Sequence, residues 1–444
     1  MTEVYTFTLD RHVVATKTNI QGRDSTYQGR SYTLLNYEKG YVCFDDMVAR
    51  PYRSVVFQHP TGRLCCVSPP KSVPIDHFAT GRGDVLDPWV SVSEIIEGTM
   101  INLWYDHEAG CWEISSKTAV GADHTYFRYH LSDGAEACPL EDDGGFVGTR
   151  TFREMFVEAT GGMGCCAYYE WPRNCCYSFV LQHPENQLVL EVTEPRLYLV
   201  AVYMMDMVGG KGGSHEATAV PLDVFRKWTW FTEQPWVHFP EEYPASRLSA
   251  LMAQARSLQG SPNRVGVMLT DTRTGVRTKI VHRPYLETKE LRAANPNILY
   301  PYLALRYVGL VDDYLTHFPW YRVAFDRYAT LVDQLAENLL VSYKTRYVER
   351  TGEVISHRFM PHIYTLHHGV YLATKMVTGT GTVVTREVID DYLGRMTPTE
   401  LYMVLMGVRV PVGVGVGVGA GLGGGTGWSE ESGKPHKNIS SVVV

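Results

Sequence analysis

Several features are missing from this sequence of 444 residues, and each absence excludes a class of protein. No Gly-x-x-x-x-Gly-Lys-Ser/Thr loop occurs, so the chain is not a P-loop nucleotide hydrolase. The nine cysteines include no Cys-x-x-Cys pair, which argues against a zinc knuckle. The net charge is −7, so no overall positive field attracts nucleic acid, and RNA binding would need a local basic patch.

Membrane and secretory signals are absent as well. The valine–glycine alternation at 410–425 is too rich in glycine for a membrane helix, and we expect no membrane partner. Residues 1–10 are polar and alternating, unlike a secretory signal. We therefore expect an intracellular, cytoplasmic protein whose thiols are reduced. With 45% hydrophobic and 20% charged residues, the composition is that of a globular protein.

Strand signals dominate the first part of the chain and helix signals the second. Apolar runs of strand length occur at 54–58, 100–105 and 177–181. From 312 to 347 apolar residues recur every three or four positions, which is the helical period, and 386–406 predicts a further helix signalled by Thr397-Pro-Thr-Glu. The fold class predicted is α+β, with antiparallel sheets followed by a smaller helical domain. The predicted domains are 1–285, 286–407 and a disordered glycine- and valine-rich tail at 408–444.

The most informative pattern lies at 94–102 and 112–117. It reads Glu-Ile-Ile-Glu-Gly-Thr-Met-Ile-Asn and, after a predicted hairpin turn, Trp-Glu-Ile-Ser-Ser-Lys. These segments resemble the phage-type RNA ligase family, a branch of the lysine-adenylating nucleotidyltransferases, which carries Lys-x-Asp-Gly-Ser/Thr-Leu-Ile and then Ser-Lys-Gly. The register places Glu97 and Gly98 on the family aspartate and glycine, and Lys117 on the later basic residue.

Other family motifs lie before and after these segments, in the order in which the family carries them. The strand Arg-Ser-Val-Val-Phe resembles the family's Arg-Gly-Ile-Met-Phe and begins at Arg53, and Lys71 falls on a lysine that holds the nucleotide triphosphate in the family. Arg-Thr-Lys, with Arg277 and Lys279, resembles the fifth motif, Lys-x-Lys. Together the motifs cover about 45–290.

Three family residues are missing at their expected positions. Ile95 stands where the family has its nucleophilic lysine, and Val180 and Val265 stand where it has glutamates. The resemblance implies attack of the lysine on the α-phosphate of ATP, with Mg²⁺ to balance charge, and isoleucine has no lone pair for that attack. The missing lysine and carboxylates argue against both ATP and Mg²⁺ as cofactors in normal catalysis, and no metal ligands are predicted.

The cations are retained, so we expect nucleotide or phosphate binding by Arg53, Lys71, Glu97, Gly98, Lys117, Arg277 and Lys279. The first interpretation is a pseudoenzyme that binds RNA ends or a nucleotide without normal lysyl-AMP formation. A second is an active ATP-dependent ligase with Lys71 or Lys117 as displaced nucleophile. A third is reuse of the fold as a scaffold. Similar degenerate sequences are typical of large DNA viruses, which extends the expected location to a viral factory or virion.

Two other patterns have a purely structural interpretation as well as a functional one. Arginines alternate with tyrosines between 285 and 306, which would suit single-stranded RNA or a linker packed by its aromatics, and we favour the linker. Four histidines between 357 and 368 match no common zinc spacing, and we expect them on a helical surface or in a core.

Overall fold

The computed structural model describes residues 4–17, 19–38, 46–126, 150–163, 168, 170–206, 213–244, 247–257, 264–292 and 297–407. The predicted disordered tail at 408–444 lies outside these residues. The described chain forms two compact units, one of 4–126 with 150–290 and one of 291–407.

Fifteen strands are found in the first unit. In chain order they are β1 Thr6–Asp10, β2 Ile20–Tyr27, β3 Arg30–Tyr37, β4 Val55–Gln58, β5 Leu64–Val67, β6 Val90–Glu94, β7 Thr99–Asp106, β8 Cys111–Ser115, β9 Cys175–Gln182, β10 Arg196–Met205, β11 Ser214–Val220, β12 Val237–His238, β13 Glu242–Tyr243, β14 Gly266–Asp271 and β15 Arg277–Val281. They form a seven-stranded sheet, β1-β11-β10-β9-β7-β8 with β12 beside β10, and two four-stranded sheets, β13-β6-β14-β15 and β2-β3-β4-β5. Apart from β12 with β10, the pairings of these strands are antiparallel.

Thirteen α-helices are found among the described residues. They are α1 Ile75–Ala79, α2 Phe152–Ala159, α3 Leu222–Arg226, α4 Thr229–Thr232, α5 Leu248–Arg256, α6 Arg283–Arg292, α7 Leu299–Val308, α8 Val311–His317, α9 Arg322–Tyr343, α10 Met360–Leu366, α11 Ala373–Thr378, α12 Arg386–Gly394 and α13 Pro398–Leu405. The predicted fold class, antiparallel sheets followed by a helical region, is confirmed. No helix among the described residues is long and apolar enough to cross a membrane.

Both faces of the seven-stranded sheet are covered within the first unit. Its central strand β9 is buried along almost its whole length, because Cys176 faces a core shared with the β2-β3-β4-β5 sheet while Tyr177 and Phe179 face α2 to α4. A strand buried on both sides reads as a continuous apolar run rather than as an alternation. The sequence Cys-Cys-Tyr-Ser-Phe-Val-Leu has this character.

The helical unit differs from the prediction in where its helices begin. The periodic stretch from 312 to 347 is two helices, α8 and α9, because Pro319 lies between them and cannot continue a helix. The stretch from 386 to 406 is also two helices. Thr397 caps α13 by accepting a bond from the Glu400 amide, while the Glu400 carboxylate accepts one from the Thr397 amide. The predicted start signal is therefore real, but it begins a helix of its own.

Candidate functional site

A cleft of about 440 Å³ lies in the first unit, between the seven-stranded sheet and the β13-β6-β14-β15 sheet. The seven-stranded sheet contributes an apolar wall that includes Met100, Val180 and Val202. The other wall is polar: Arg277 and Lys279 on β15 carry positive charge, and Glu94 on β6 and Glu242 on β13 carry negative charge. The cleft therefore offers an apolar surface opposite fixed positive charge, a combination that suits a ligand with a flat organic part and an anionic part.

The cationic wall follows from strand alternation in the hairpin of β14 and β15. Arg277 and Lys279 are two residues apart, so both side chains stand on the cleft face. Between and beyond them, Thr278 and Ile280 are buried on the opposite face, against α1 and α5. The hairpin pairs Lys279 with Met268, which also lines the cleft.

Two guanidinium groups in the cleft lie close enough to repel each other. Loss of hydration lowers the pKa of Arg277, and the charge of Arg53 lowers it further. Loss of hydration likewise lowers the pKa of Arg53. Neither side chain has a carboxylate partner among the described residues, and the buried Nε of Arg277 has no hydrogen-bond partner there. Two partly buried like charges without counter-charge are costly, and a bound anion would remove that cost.

Two further predicted cations, Lys71 and Lys117, lie near the ring of Tyr37 at the end of β3. The ammonium groups of Lys71 and Lys117 lie 5.4 Å and 5.3 Å from the centre of its ring, a distance typical of cation–π contacts. Burial raises the pKa of Tyr37, while Arg53 and Arg277 act in the opposite direction. All five predicted cations thus lie around this tyrosine and the cleft, although Lys71 and Lys117 do not line the cleft.

Asn36 fixes the backbone that carries two of these cations. Its side-chain amide donates to the carbonyl of Arg53 at 2.9 Å and to the carbonyl of Lys117 at 2.8 Å. Arg53 and Lys117, which are 64 positions apart in sequence, are thereby held at one amide group. Asn36 and Tyr37 are neighbours on β3, and no motif in the sequence singled them out.

Lys279 has the most altered ammonium group of the site. Its pKa is lowered to about 8, first by loss of hydration and then by the charges of Arg277, Arg53 and Lys289. Water reaches the side chain through the open cleft, yet protein surrounds much of it. Lys279 has no ion-pair partner among the described residues. A lysine beside other cations is the environment that makes an amine nucleophilic near neutral pH.

The position of the missing family lysine is apolar. Ile95 lines the cleft, and its amide donates to the Gly266 carbonyl at 3.0 Å, which places it beside the start of β14. Its side chain packs in a cluster with Val265, Val189 and Tyr285. The two hydrophobic residues that the predicted registers place at the family lysine and glutamate therefore belong to one apolar cluster.

Glu97 is held by protein groups. Its carboxylate accepts bonds from the amides of Val189 and Leu190, at 2.9 Å and 3.0 Å, and from the Tyr285 hydroxyl at 2.5 Å. The side chain is buried. Gly98, next in sequence, does line the cleft. It has φ of 150°, and a Cβ there would collide with the carbonyl oxygen of Leu181.

Carboxylates are present in the cleft, but none occupies the two family positions. Glu94, Asp223 and Glu242 line it, and Glu242 pairs with Arg226 at 3.2 Å. Within the part of the chain that the structure describes, no group of three or more His, Cys, Asp or Glu side chains could hold a metal ion. The residues present do not fit a resident metal, and we derive no metal-dependent step.

The molecule thus has a mixed α/β unit of antiparallel sheets with a cationic cleft, followed by helices. No protein-family model matches the chain, and no curated protein matches it. Similar solved structures are ATP-dependent ligases at low identity. An archaeal ATP-dependent RNA ligase is 13% identical with a TM-score of 0.36, covering 81% of this chain and 80% of that one.

Two further structures complete the comparison. A putative ATP-dependent DNA ligase from Aquifex aeolicus is 11% identical with a TM-score of 0.36, over 76% of each chain. A Naegleria gruberi RNA ligase variant with ATP and Mn is 10% identical with a TM-score of 0.29, over 61% of this chain and 98% of that one. At these scores the likeness carries no argument.

Proposed function

We propose that the cleft binds a nucleotide, with ATP the first choice, and that the protein is an RNA ligase-like protein without normal lysyl-AMP formation. The phosphates would lie against Arg53, Arg277 and Lys279, with the charges of Lys71 and Lys117 behind them. The base would face the apolar wall. RNA with a terminal phosphate presents the same groups and is the second ligand of this class.

One observation carries the proposal: Arg53 and Arg277 face the same cleft without a carboxylate partner among the described residues. Charges that serve only the fold are paired, because an unpaired buried charge destabilises it. A polyphosphate offers acceptors to both guanidinium groups, and such charge-assisted bonds are the stronger ones.

The loss of covalent chemistry at the family position is supported by the apolar cluster around Ile95. An amine there would have Val265 and Val189 as neighbours, in place of a carboxylate. Binding a nucleotide without that amine stabilises the ground state alone and gives no acceleration.

Calorimetric titration with ATP tests the binding. We expect Arg277→Met to weaken ATP affinity about 10- to 150-fold, because a charge-assisted bond contributes about 1.5–3 kcal/mol. Arg283→Met is the matched control, since Arg283 is exposed on α6, pairs with Glu287 and lies outside the cleft lining. Equal affinity in the wild type and Arg277→Met would refute the proposal, and no binding of ATP or RNA at all would favour the scaffold interpretation.

A second candidate is a retained nucleotidyl transfer through Lys279, which replaces Lys71 and Lys117 as the displaced lysine because it alone of the three lines the cleft. The neutral amine would form an Nζ–P bond to the α-phosphorus of ATP. The bond from that phosphorus to the bridging oxygen would break, pyrophosphate would leave with the electron pair, and the amine proton would pass to water. A lowered pKa supplies neutral amine for this step.

Incubation with α-labelled ATP and Mg²⁺, followed by denaturation, separates the two candidates. If transfer occurs, the wild type retains label, Lys279→Arg loses it, and the matched variants Lys71→Arg and Lys117→Arg keep it. Pyrophosphate release should equal the label bound. An unlabelled wild type that still binds ATP supports the pseudoenzyme interpretation.

A further inference from the structure

A second cluster of chemically active side chains lies in the helical unit. The helix α9 continues into a π-helical segment, Lys344–Glu349, and a second π-helical segment, His367–Leu372, joins α10 to α11. The two segments meet, since the ring centres of Tyr347 and His367 lie 3.9 Å apart. The Tyr343 hydroxyl, at the end of α9, lies 3.2 Å from Nδ1 of His367. π-helical turns are rare and occur frequently at functional sites.

Aromatic rings from both segments form a stack. The imidazole of His367 lies between two tyrosines: its centre is 3.9 Å from the ring of Tyr347, with 6° between the planes, and 5.3 Å from the ring of Tyr371, with 16°. Beside this stack, the rings of Tyr364 and His368 are 4.0 Å apart. We call these five residues the tyrosine–histidine surface.

This surface is not a core. Tyr364 is 55% exposed, and apolar neighbours are exposed too, with Val348 at 66% and Met376 at 86%. Tyrosines elsewhere in the unit, such as Tyr314 and Tyr321, are buried. Exposed aromatic and apolar groups near one ring cluster make this part of the unit a candidate interaction surface.

The charge around the surface is opposite to that of the whole chain. Residues 343–376 carry five Lys or Arg and two Glu, a net charge of +3, whereas the chain as a whole carries −7. Lys344, Arg346 and Lys375 are exposed and have no carboxylate partner among the described residues. The ammonium of Lys375 lies 5.9 Å from the ring of Tyr371. Cations are thus interleaved with the rings.

We propose that the tyrosine–histidine surface binds single-stranded nucleic acid, with bases stacked on the rings and phosphates at Lys344, Arg346 and Lys375. Stacking on aromatic side chains with cations along the backbone is how sequence-tolerant single-strand binding works. A protein partner would need no such row of unpaired cations. The proposal rests on residues other than those of the cleft, so either can fail alone.

Fluorescence anisotropy with a labelled single-stranded oligoribonucleotide of about ten nucleotides tests the surface, since single-strand sites span about 4–16 nucleotides. We expect Tyr364→Ala to weaken binding about 5- to 100-fold, as loss of one stacked base predicts. Tyr364→Phe keeps the ring and should restore the affinity. Tyr307→Ala is the matched control, because Tyr307 is 49% exposed in the same unit and makes no ring contact among the described residues.

The phosphate contacts have their own signature. Each cation that contacts a phosphate contributes about 0.7 to the slope of log affinity against log salt for a single strand, so Arg346→Ala should reduce that slope by about this amount. The deoxy oligomer of the same sequence, measured in parallel, shows whether the sugar hydroxyl is read. Unchanged binding in Tyr364→Ala, or no binding of either strand at low salt, would overturn the proposal. Loss of binding confined to Arg277→Met would assign the nucleic acid to the cleft and overturn it too.

Discussion

Two groups of arginines in the first unit are partly buried, but only one of the groups has carboxylate partners among the described residues. Arg30 pairs with Asp106 at 3.2 Å and with Glu113 at 3.4 Å, and Arg153 pairs with Glu113 as well. Arg53 and Arg277 face the cleft with no carboxylate among the described residues. The first group completes a structural network, whereas the second leaves positive charge for a ligand to balance. Pairing, rather than burial alone, separates structural arginines from candidate binding residues.

The paired group also shows what burial does to a satisfied charge. Burial alone would raise the pKa of Asp106, but bonds from the Tyr32 hydroxyl, the Ala109 amide and Gln58 outweigh it and lower the pKa. The Tyr32 bond is 2.6 Å and the Gln58 bond is 2.9 Å. By contrast, no carboxylate among the described residues pairs with Arg53 or Arg277.

The largest expected effect comes from breaking the paired group. Asp106→Ala should lower the free energy of unfolding by about 3–5 kcal/mol, because it leaves the buried Tyr32 hydroxyl and Gln58 amide without their acceptor and removes one of the two carboxylates that pair with Arg30. Urea unfolding followed by fluorescence measures this. The stability that Asp106 contributes is present above the unfolded-state pKa and is lost as pH falls through the lower folded-state pKa, so the difference between wild type and variant should shrink in acid.

Asp24→Ala is the control for that experiment. Asp24 is a carboxylate of the same unit whose side chain is 86% exposed, and its removal should change stability by less than about 0.5 kcal/mol. Equal losses from the two variants would contradict the distinction between the groups.

Removing a charge from the unpaired group should instead raise the free energy of unfolding. Arg53→Met and Arg277→Met should each raise the free energy of unfolding of the ligand-free protein by about 1–4 kcal/mol, since replacing a buried charge by an apolar group of similar size is often stabilising. The double variant should gain less than the sum, because the first substitution already removes the repulsion. Denaturant titration without ligand gives all three values, and a loss of stability in both single variants would show that these charges are paired.

The sequence indicated which residues line the cleft better than it indicated the contacts that individual residues make. Ile95, Gly98 and Arg277, which come from two of the predicted motifs, line one cleft in the structure, while their roles toward a ligand stay predictions. The role of Tyr37 was not predictable, since its contacts with Lys71 and Lys117 come from the packing of distant strands.

A pattern of residue types likewise does not show which side chains are exposed in the fold. Arginine and tyrosine alternate between 285 and 306, yet Tyr285, Arg292 and Tyr302 are buried, as the linker interpretation expects. Exposed rings occur instead at the tyrosine–histidine surface, where two π-helical segments meet and Tyr364 and His368 are exposed. A periodic pattern gives the face of a helix, but helices that widen locally change which residues share a face.

The apolar cluster around Ile95 allows a test of the registers proposed for the family motifs. Ile95→Lys alone should destabilise the protein by about 1–3 kcal/mol, because the amine enters a cluster without an acceptor. Adding Val265→Glu should recover part of this loss, with a coupling energy of about 0.5–3 kcal/mol. Unfolding free energies of the wild type, both single variants and the double variant form the cycle. Strict additivity would mean that positions 95 and 265 do not face each other as the registers require.

The smallest effect concerns Lys279, which lines the cleft beside the two unpaired arginines. Its ammonium loses its proton in an accessible pH range. Its pKa in the folded protein is about 8, below the ordinary value of 10.5, so between these values the unfolded chain binds more protons. Stability should therefore rise with pH across this window, while below pH 8 the charged ammonium keeps its full cost.

Lys279→Met should remove the rise, and the change should be at most about 1 kcal/mol because water reaches the side chain and screens it. Unfolding free energies measured at the two ends of the window give the difference, with the exposed Lys227→Met as control. An unchanged slope in Lys279→Met would place its ammonium outside the field of Arg53 and Arg277. That result would also remove the supply of neutral amine on which nucleotidyl transfer through Lys279 depends, while leaving ATP binding by the two arginines untouched.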